Sequence, residues 1–181
     1  MAGGRLTRVG DNDEITLLER HVQTSDAGDR PDYRDSAEFT MPWWSQAEFG
    51  AEGSCTWMSL IVASNEVARV MLEPRDAFSR WFAIKTPDSF MEVVFFEVAV
   101  SQRRRAFGTR IVAELEKRYP DKTLAAVSQD SHSDAFWSAV KWRRYQHSAL
   151  ADFRPIYISS LQSGLRSSGS QIDPEKSAND G

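Results

Sequence analysis

The apolar positions of this chain follow two rhythms, and the change between them marks out the elements. Thr56 to Ala63 (TWMSLIVA) and Glu66 to Leu72 are short, apolar and rich in β-branched residues, which predicts two strands. Ser64-Asn65 between them predicts a tight turn, so the pair forms a hairpin. Met91 to Val100 is nearly all apolar and predicts a central strand, covered on both faces. Beyond it the period becomes helical. Phe107, Ile111 and Leu115 recur every fourth residue with Val112 beside them, while Glu114, Glu116, Lys117 and Arg118 take the other side. This predicts a helix from about Phe107 to Arg118, ended by Pro120. Thr123 to Val127 predicts a short strand, Ser133 to Lys141 a short helix, and Trp142 to Gln146 and Arg154 to Ser159 two closing strands.

The N-terminal part is less regular. Ile15, Leu18 and Val22 lie at helical spacing after Asp11 and Asp13, which predicts a short helix over 14–22. Residues 24–38 are rich in Asp, Arg and Ser and predict a loop, and Phe39 to Glu52 shows no clear pattern. Pro74 to Ser89 is longer than a hairpin needs and carries Phe78, Trp81 and Phe82, which predicts a packed excursion. The expected domain organisation is a loose N-terminus (1–13), a single domain (14–159) and a disordered Ser/Gly-rich tail (160–181). The element order predicts an α/β (α+β) fold around one mixed, mostly antiparallel sheet flanked by helices. A helical crossover makes the strands at Met91–Val100 and Thr123–Val127 parallel.

Composition narrows the function. A chain of 181 residues with 41% hydrophobic content is long enough for one real core. The net charge of −4 argues against broad nucleic-acid binding. A single cysteine, Cys55, rules out an intrachain disulfide and fits a reducing, cytoplasmic setting. No apolar run reaches membrane-spanning length. The sequence has no Cys/His cluster for zinc, no calcium loop and no Gly-x-Ser-x-Gly elbow.

Candidate chemistry concentrates in Met91 to Tyr119, where an apolar strand runs through three arginines and a small-residue turn into an amphipathic helix. A helix start exposes unpaired N–H groups and the positive end of its dipole, and arginines add charge, so this order builds an anion site. Arg103-Arg104-Arg105-Ala106-Phe107-Gly108 resembles the pyrophosphate loop of the GNAT acyltransferases, Gln/Arg-x-x-Gly-x-Gly/Ala, with Ala106 in place of the first glycine. The run Asp130 to Trp142 is similar to a second GNAT motif, roughly Asn-x-x-Ala-x-x-Phe-Tyr-x-x-x-Gly-Phe. Phe136 matches, while Asp130, Ser133, Trp137, Lys141 and Trp142 replace Asn, Ala, Tyr, Gly and Phe.

The resemblance implies a GNAT-like fold, acetyl-CoA as acyl donor and an amine as acceptor. It implies that Phe96, Glu97 and Val98 offer main-chain groups to the pantetheine arm. The amides from Arg104 to Thr109 would hold the pyrophosphate, with Arg103, Arg104 and Arg105 adding charge around Ala106, Phe107, Gly108 and Thr109. Ser133 and Phe136 belong to the second motif and join the cofactor-binding set. Glu92 is the first candidate base, because the glutamate at the matching strand position serves as base in yeast-type histone acetyltransferases. Glu97 is its rival and, with strict alternation, faces the opposite side. The motif's tyrosine acid is replaced by Trp137, and Tyr145 or His147 is the substitute nearby, whereas His132 reads as exposed and inert. Trp43, Trp44, Trp57 and Trp81 are read first as core packing and second as an acceptor pocket. A homodimer fits the resemblance and the aromatic excess. The competing reading is a GNAT-like module that binds acyl-CoA or a protein without turnover; a nucleic-acid-associated role is the third.

Overall fold

The computed structural model describes residues 15–20, 22–23, 30–41, 44, 55–76, 89–147, 150 and 152–159. The expected loose terminus, C-terminal tail and packed excursion around Phe78, Trp81 and Phe82 lie outside these, as does Trp43.

Among the described residues, nine strands and two α-helices follow in order: β1 (Ile15–Glu19), β2 (Val22–Gln23), β3 (Arg30–Pro31), β4 (Thr56–Val62), β5 (Asn65–Asp76), β6 (Ser89–Val98), α1 (Phe107–Arg118), β7 (Leu124–Val127), α2 (Ser131–Ala139), β8 (Arg143–Tyr145) and β9 (Ile156–Ile158). Seven of them form one sheet in the order β1-β4-β5-β6-β7-β9-β8; β2 and β3 pair separately. β6 is central, as its apolar sequence requires, and its pairing with β7 is parallel while every other ladder is antiparallel. The hairpin turn falls at Ala63-Ser64, both at positive φ (47° and 64°), one residue earlier than expected. α1 has the predicted bounds, and α2 starts two residues before its predicted start.

Residues 15–19 correct one expectation. The segment is an edge strand on β4, not a helix. Ile15 and Leu17 are half-buried while Thr16 and Leu18 are exposed, an alternation of period two. Ladder bonds with β4 satisfy this main chain, whereas so short a helix cannot repay its nucleation.

The core lies between the sheet and α1. Phe107, Ile111, Val112 and Leu115 pack with Met58, Leu60, Val70, Leu72 and Val93, and Trp137 and Trp142 extend the cluster. The opposite sheet face holds Trp44, Trp57, Met71 and Phe39, against which Tyr33 and Phe95 pack. Trp44 and Trp57 are therefore core residues. Ile111 has no exposed surface. Ile111→Ala is expected to lower unfolding free energy by about 2–5 kcal/mol in urea melts, with exposed Lys117→Ala within about 0.5 kcal/mol of wild type.

Candidate functional site

Two irregularities in β6 open the site. The first is a bulge. Leu72 pairs with Val93 and Met71 with Phe95, so Val94 is an extra residue. The bulge resets the side-chain parity. Glu92 lies opposite Glu73, and Glu97 opposite Arg69, which are four residues apart on one face of β5. Glu92 and Glu97 thus share a face, which corrects the opposite-face expectation. The second irregularity is a divergence. β6 pairs with β7 only at Met91–Leu124 and Glu92–Ala125. From Val93 onward the two strands splay apart.

The gap is a cavity of about 520 Å³. β6 contributes Val93 to Phe96, and the far wall is Gln129, Asp130, His132, Ser133, Phe136 and Trp137, with Met41 and Val127 completing it. Ala99 N–H donates to Val67 O, so alternation turns the main-chain groups of Val98 and Phe96 away from β5, towards the open edge.

A second cavity of about 210 Å³ sits at the start of α1 and contains Phe96, Val98, Arg103, Arg104, Ala106, Phe107, Gly108, Thr109 and Phe136 from the predicted cofactor set. The two cavities share Phe96 and Phe136, whose rings stack at 5.4 Å. Gly108 allows this close approach, because a Cβ there would stand 2.9 Å from Phe136 Cε2. The loop backbone alternates: Arg104 (φ 59°) and Ala106 (φ 61°) are left-handed and Arg105 between them is not. Such alternation curls successive N–H groups into an anion-binding nest. Arg110 N–H makes the first helical bond, to Ala106 O, and no side chain caps the helix. The N–H groups of Phe107, Gly108 and Thr109 therefore have no partner within the helix. Ala106 stands where glycine would be unstrained.

The three arginines differ. Arg103 turns inward, with Nη2 3.3 Å from Glu97 Oε1 and Nε donating to Val98 O at 3.2 Å. Arg105 donates to Gln102 Oε1 at 2.6 Å and lies 5.6 Å from the Phe107 ring. Arg104 is exposed.

The candidate catalytic residues are placed less favourably. Glu97 is 4% exposed and accepts from the N–H groups of Thr40 (2.9 Å) and Met41 (3.3 Å), the Thr40 hydroxyl (3.2 Å), the Trp44 indole (2.5 Å) and Arg103. Five donors occupy its lone pairs. Glu92 accepts from Arg75 Nε at 3.0 Å. Burial pushes its pKa up, Arg75 opposes the shift and Glu73 adds to it. Tyr145 packs beside Phe90, Ala125, Ile156 and Ile158 in a separate cluster, with the Arg143 guanidinium 5.2 Å from its ring. None of the three lines the gap.

Ser133 closes a capping box on α2: its N–H donates to Asp130 Oδ1 at 2.8 Å and its hydroxyl accepts from Asp130 N–H at 2.9 Å. The backbone bond from Ser133 is the main reason that the Asp130 carboxyl is held below the usual range. His132 is exposed, as expected, and lines the gap, and so does Met41. His132 was legible as the imidazole of the second motif; Met41 carried no signal. Among the described residues no group of His, Cys, Asp and Glu could hold a metal, and no helix is long and apolar enough to cross a membrane.

A splayed parallel pair beside a bulged central strand, with an N–H nest at the next helix, sets the architecture of this mixed α/β fold. Its particular form is the GNAT fold. Structural comparison agrees: AtaTR bound with AcCoA matches at TM-score 0.53 and 10% identity, over 80% of this chain and 92% of that one. The KacTA-DNA complex matches at TM-score 0.52 and 10% identity, over 81% and 92%. An acetyltransferase from Thermus thermophilus matches at TM-score 0.46 and 10% identity; the match spans 60% of this chain and 65% of that one, just under two thirds of its length. No protein-family model and no curated protein matches the sequence.

Two outcomes test the site's local physics. Ala106→Gly is expected to raise stability by on the order of 1 kcal/mol in urea unfolding, because the left-handed conformation costs alanine and not glycine. For Glu92, the folded state holds the proton more tightly than the unfolded chain. Stability therefore falls as pH rises from the ordinary carboxylate range through the raised folded value. Glu92→Gln should lack that decline, and its stability relative to wild type should rise across the window.

Proposed function

We propose that this chain is an acetyl-CoA-dependent N-acetyltransferase that moves an acetyl group to an amine within a ternary complex. The observation that carries the reading is the meeting of the two cavities at Phe96 and Phe136. One end supplies a nest and unpaired helix N–H groups for a pyrophosphate, and the other supplies an apolar gap with open main-chain groups for a pantetheine arm and thioester. The amides of Arg104 to Thr109 hold the diphosphate, and the arginines add charge. The N–H groups on the open edge of β6, at Phe96 and Val98, donate to the pantetheine and to the acyl oxygen as it gains charge.

The amine nitrogen attacks the thioester carbonyl, the new C–N bond forms, the C–S bond breaks, and the coenzyme leaves as thiol after taking up a proton. The acceptor is a small molecule or a protein amine. Support from similar structures is confined to the fold and to AtaTR, which holds AcCoA.

A calorimetric titration with acetyl-CoA tests the reading. Wild type is expected to bind in the micromolar range. The triple variant Arg103→Ala, Arg104→Ala, Arg105→Ala is expected to bind at least about tenfold more weakly, the equivalent of about 1.4 kcal/mol. Wild type that binds neither acetyl-CoA nor longer acyl-CoAs would sink the proposal.

A further inference from the structure

The reaction needs a group that takes a proton from the attacking amine and another, or the same one, that returns a proton to the thiolate. Among the described residues, the wall of the gap restricts the choice. There β6 offers it Val93, Val94, Phe95 and Phe96. Met41, Val127, Phe136 and Trp137 are equally without acid–base chemistry. Ser133 is spent in the capping box. Asp130 is held ionised by the same box, which makes it a poor proton acceptor at neutral pH. Gln129 is tied to Arg154. His132 remains. It lines the gap and is exposed, and no described side chain hydrogen-bonds its ring. Asp130, on its own turn, is the charged side chain that acts on it, and Arg154 is held on Gln129. Imidazole is the side chain that exchanges protons near neutrality.

We propose that His132 is the catalytic proton carrier of this site. The inference rests on the acetyl-transfer reading. The neutral ring accepts the amine proton as the C–N bond forms. The resulting imidazolium gives that proton to the departing thiolate as the C–S bond breaks. The net products are the amide and the free thiol, and the ring ends neutral. One residue thus supplies both the base and the acid, which is why the site operates with Trp137 where the family motif has a tyrosine.

The chain has three histidines, His21, His132 and His147, so ring signals in a proton–carbon NMR spectrum can be assigned with His132→Gln. Acetyl-CoA is added to wild type under saturating conditions set by the calorimetric titration. The His132 ring signals are expected to shift. His132→Gln should keep its acetyl-CoA Kd within about threefold of wild type while thiol release with a panel of primary amines falls by about 100-fold or more. The limb of the wild-type pH profile that reports loss of the neutral ring should vanish with it. Unmoved ring signals in saturated wild type, thiol release by His132→Gln at the wild-type rate, or bound acetyl-CoA with no thiol release by wild type would each overturn the assignment. Absence of acetyl-CoA binding by wild type would instead remove the reaction itself, and calorimetry reads that separately.

Discussion

The site exists because the central strand cannot pair with its parallel neighbour for more than two residues. β6 is hydrogen-bonded to β5 along its length, but the extra residue Val94 bends it, and its ladder to β7 stops at Glu92. Unpaired main chain in a sheet is costly when buried. Here it faces a cavity, where water or a ligand can satisfy it. The same bulge turns Glu92 and Glu97 to one face and leaves Phe96 on the α1 side with Val98. One inserted residue therefore sets the open edge, the aromatic floor of the gap and the placement of both carboxylates.

Glu97 ties this strand to its surroundings. Its carboxylate gathers Thr40, Met41 and Trp44 from the N-terminal segment and Arg103 from the anion loop. Glu38 adds a second link, accepting from Ser101 N–H at 2.8 Å through its side chain and from Val100 N–H at 3.0 Å through its carbonyl. A buried carboxylate without such donors would be strongly unfavourable. With them it fixes Met41 as a wall of the gap and orients one of the three arginines. A charge in an apolar strand thus joins the loop before α1 to the gap wall.

Legibility followed the range of the interactions. The bounds of α1, the hairpin and the parallel crossover were all readable, because each depends on periodicity, turn residues or connection length within a short window. The loop from Arg103 to Thr109 that leads into α1 was readable for the same reason, since it is contiguous. The edge strand at Ile15–Glu19 was misread, because its conformation is imposed by β4, some forty residues away. The second motif gave its helix, and within it Ser133 closes a capping box with its N–H and its hydroxyl, which the motif did not indicate. His132 is exposed as expected, but exposure at a helix start does not say which cavity that helix borders.

The sequence by itself determined the class of fold and the bounds of the loop and helix from Arg103 to Arg118, since local hydrogen bonding, helix polarity and side-chain period act between near neighbours. Only the tertiary structure decided which face each glutamate takes, which side chains border the gap and which are already committed to other partners. Those outcomes turn on one unpaired residue in a ladder and on contacts between segments more than fifty residues apart, such as Thr40 with Glu97, and no pattern within a window of sequence encodes them.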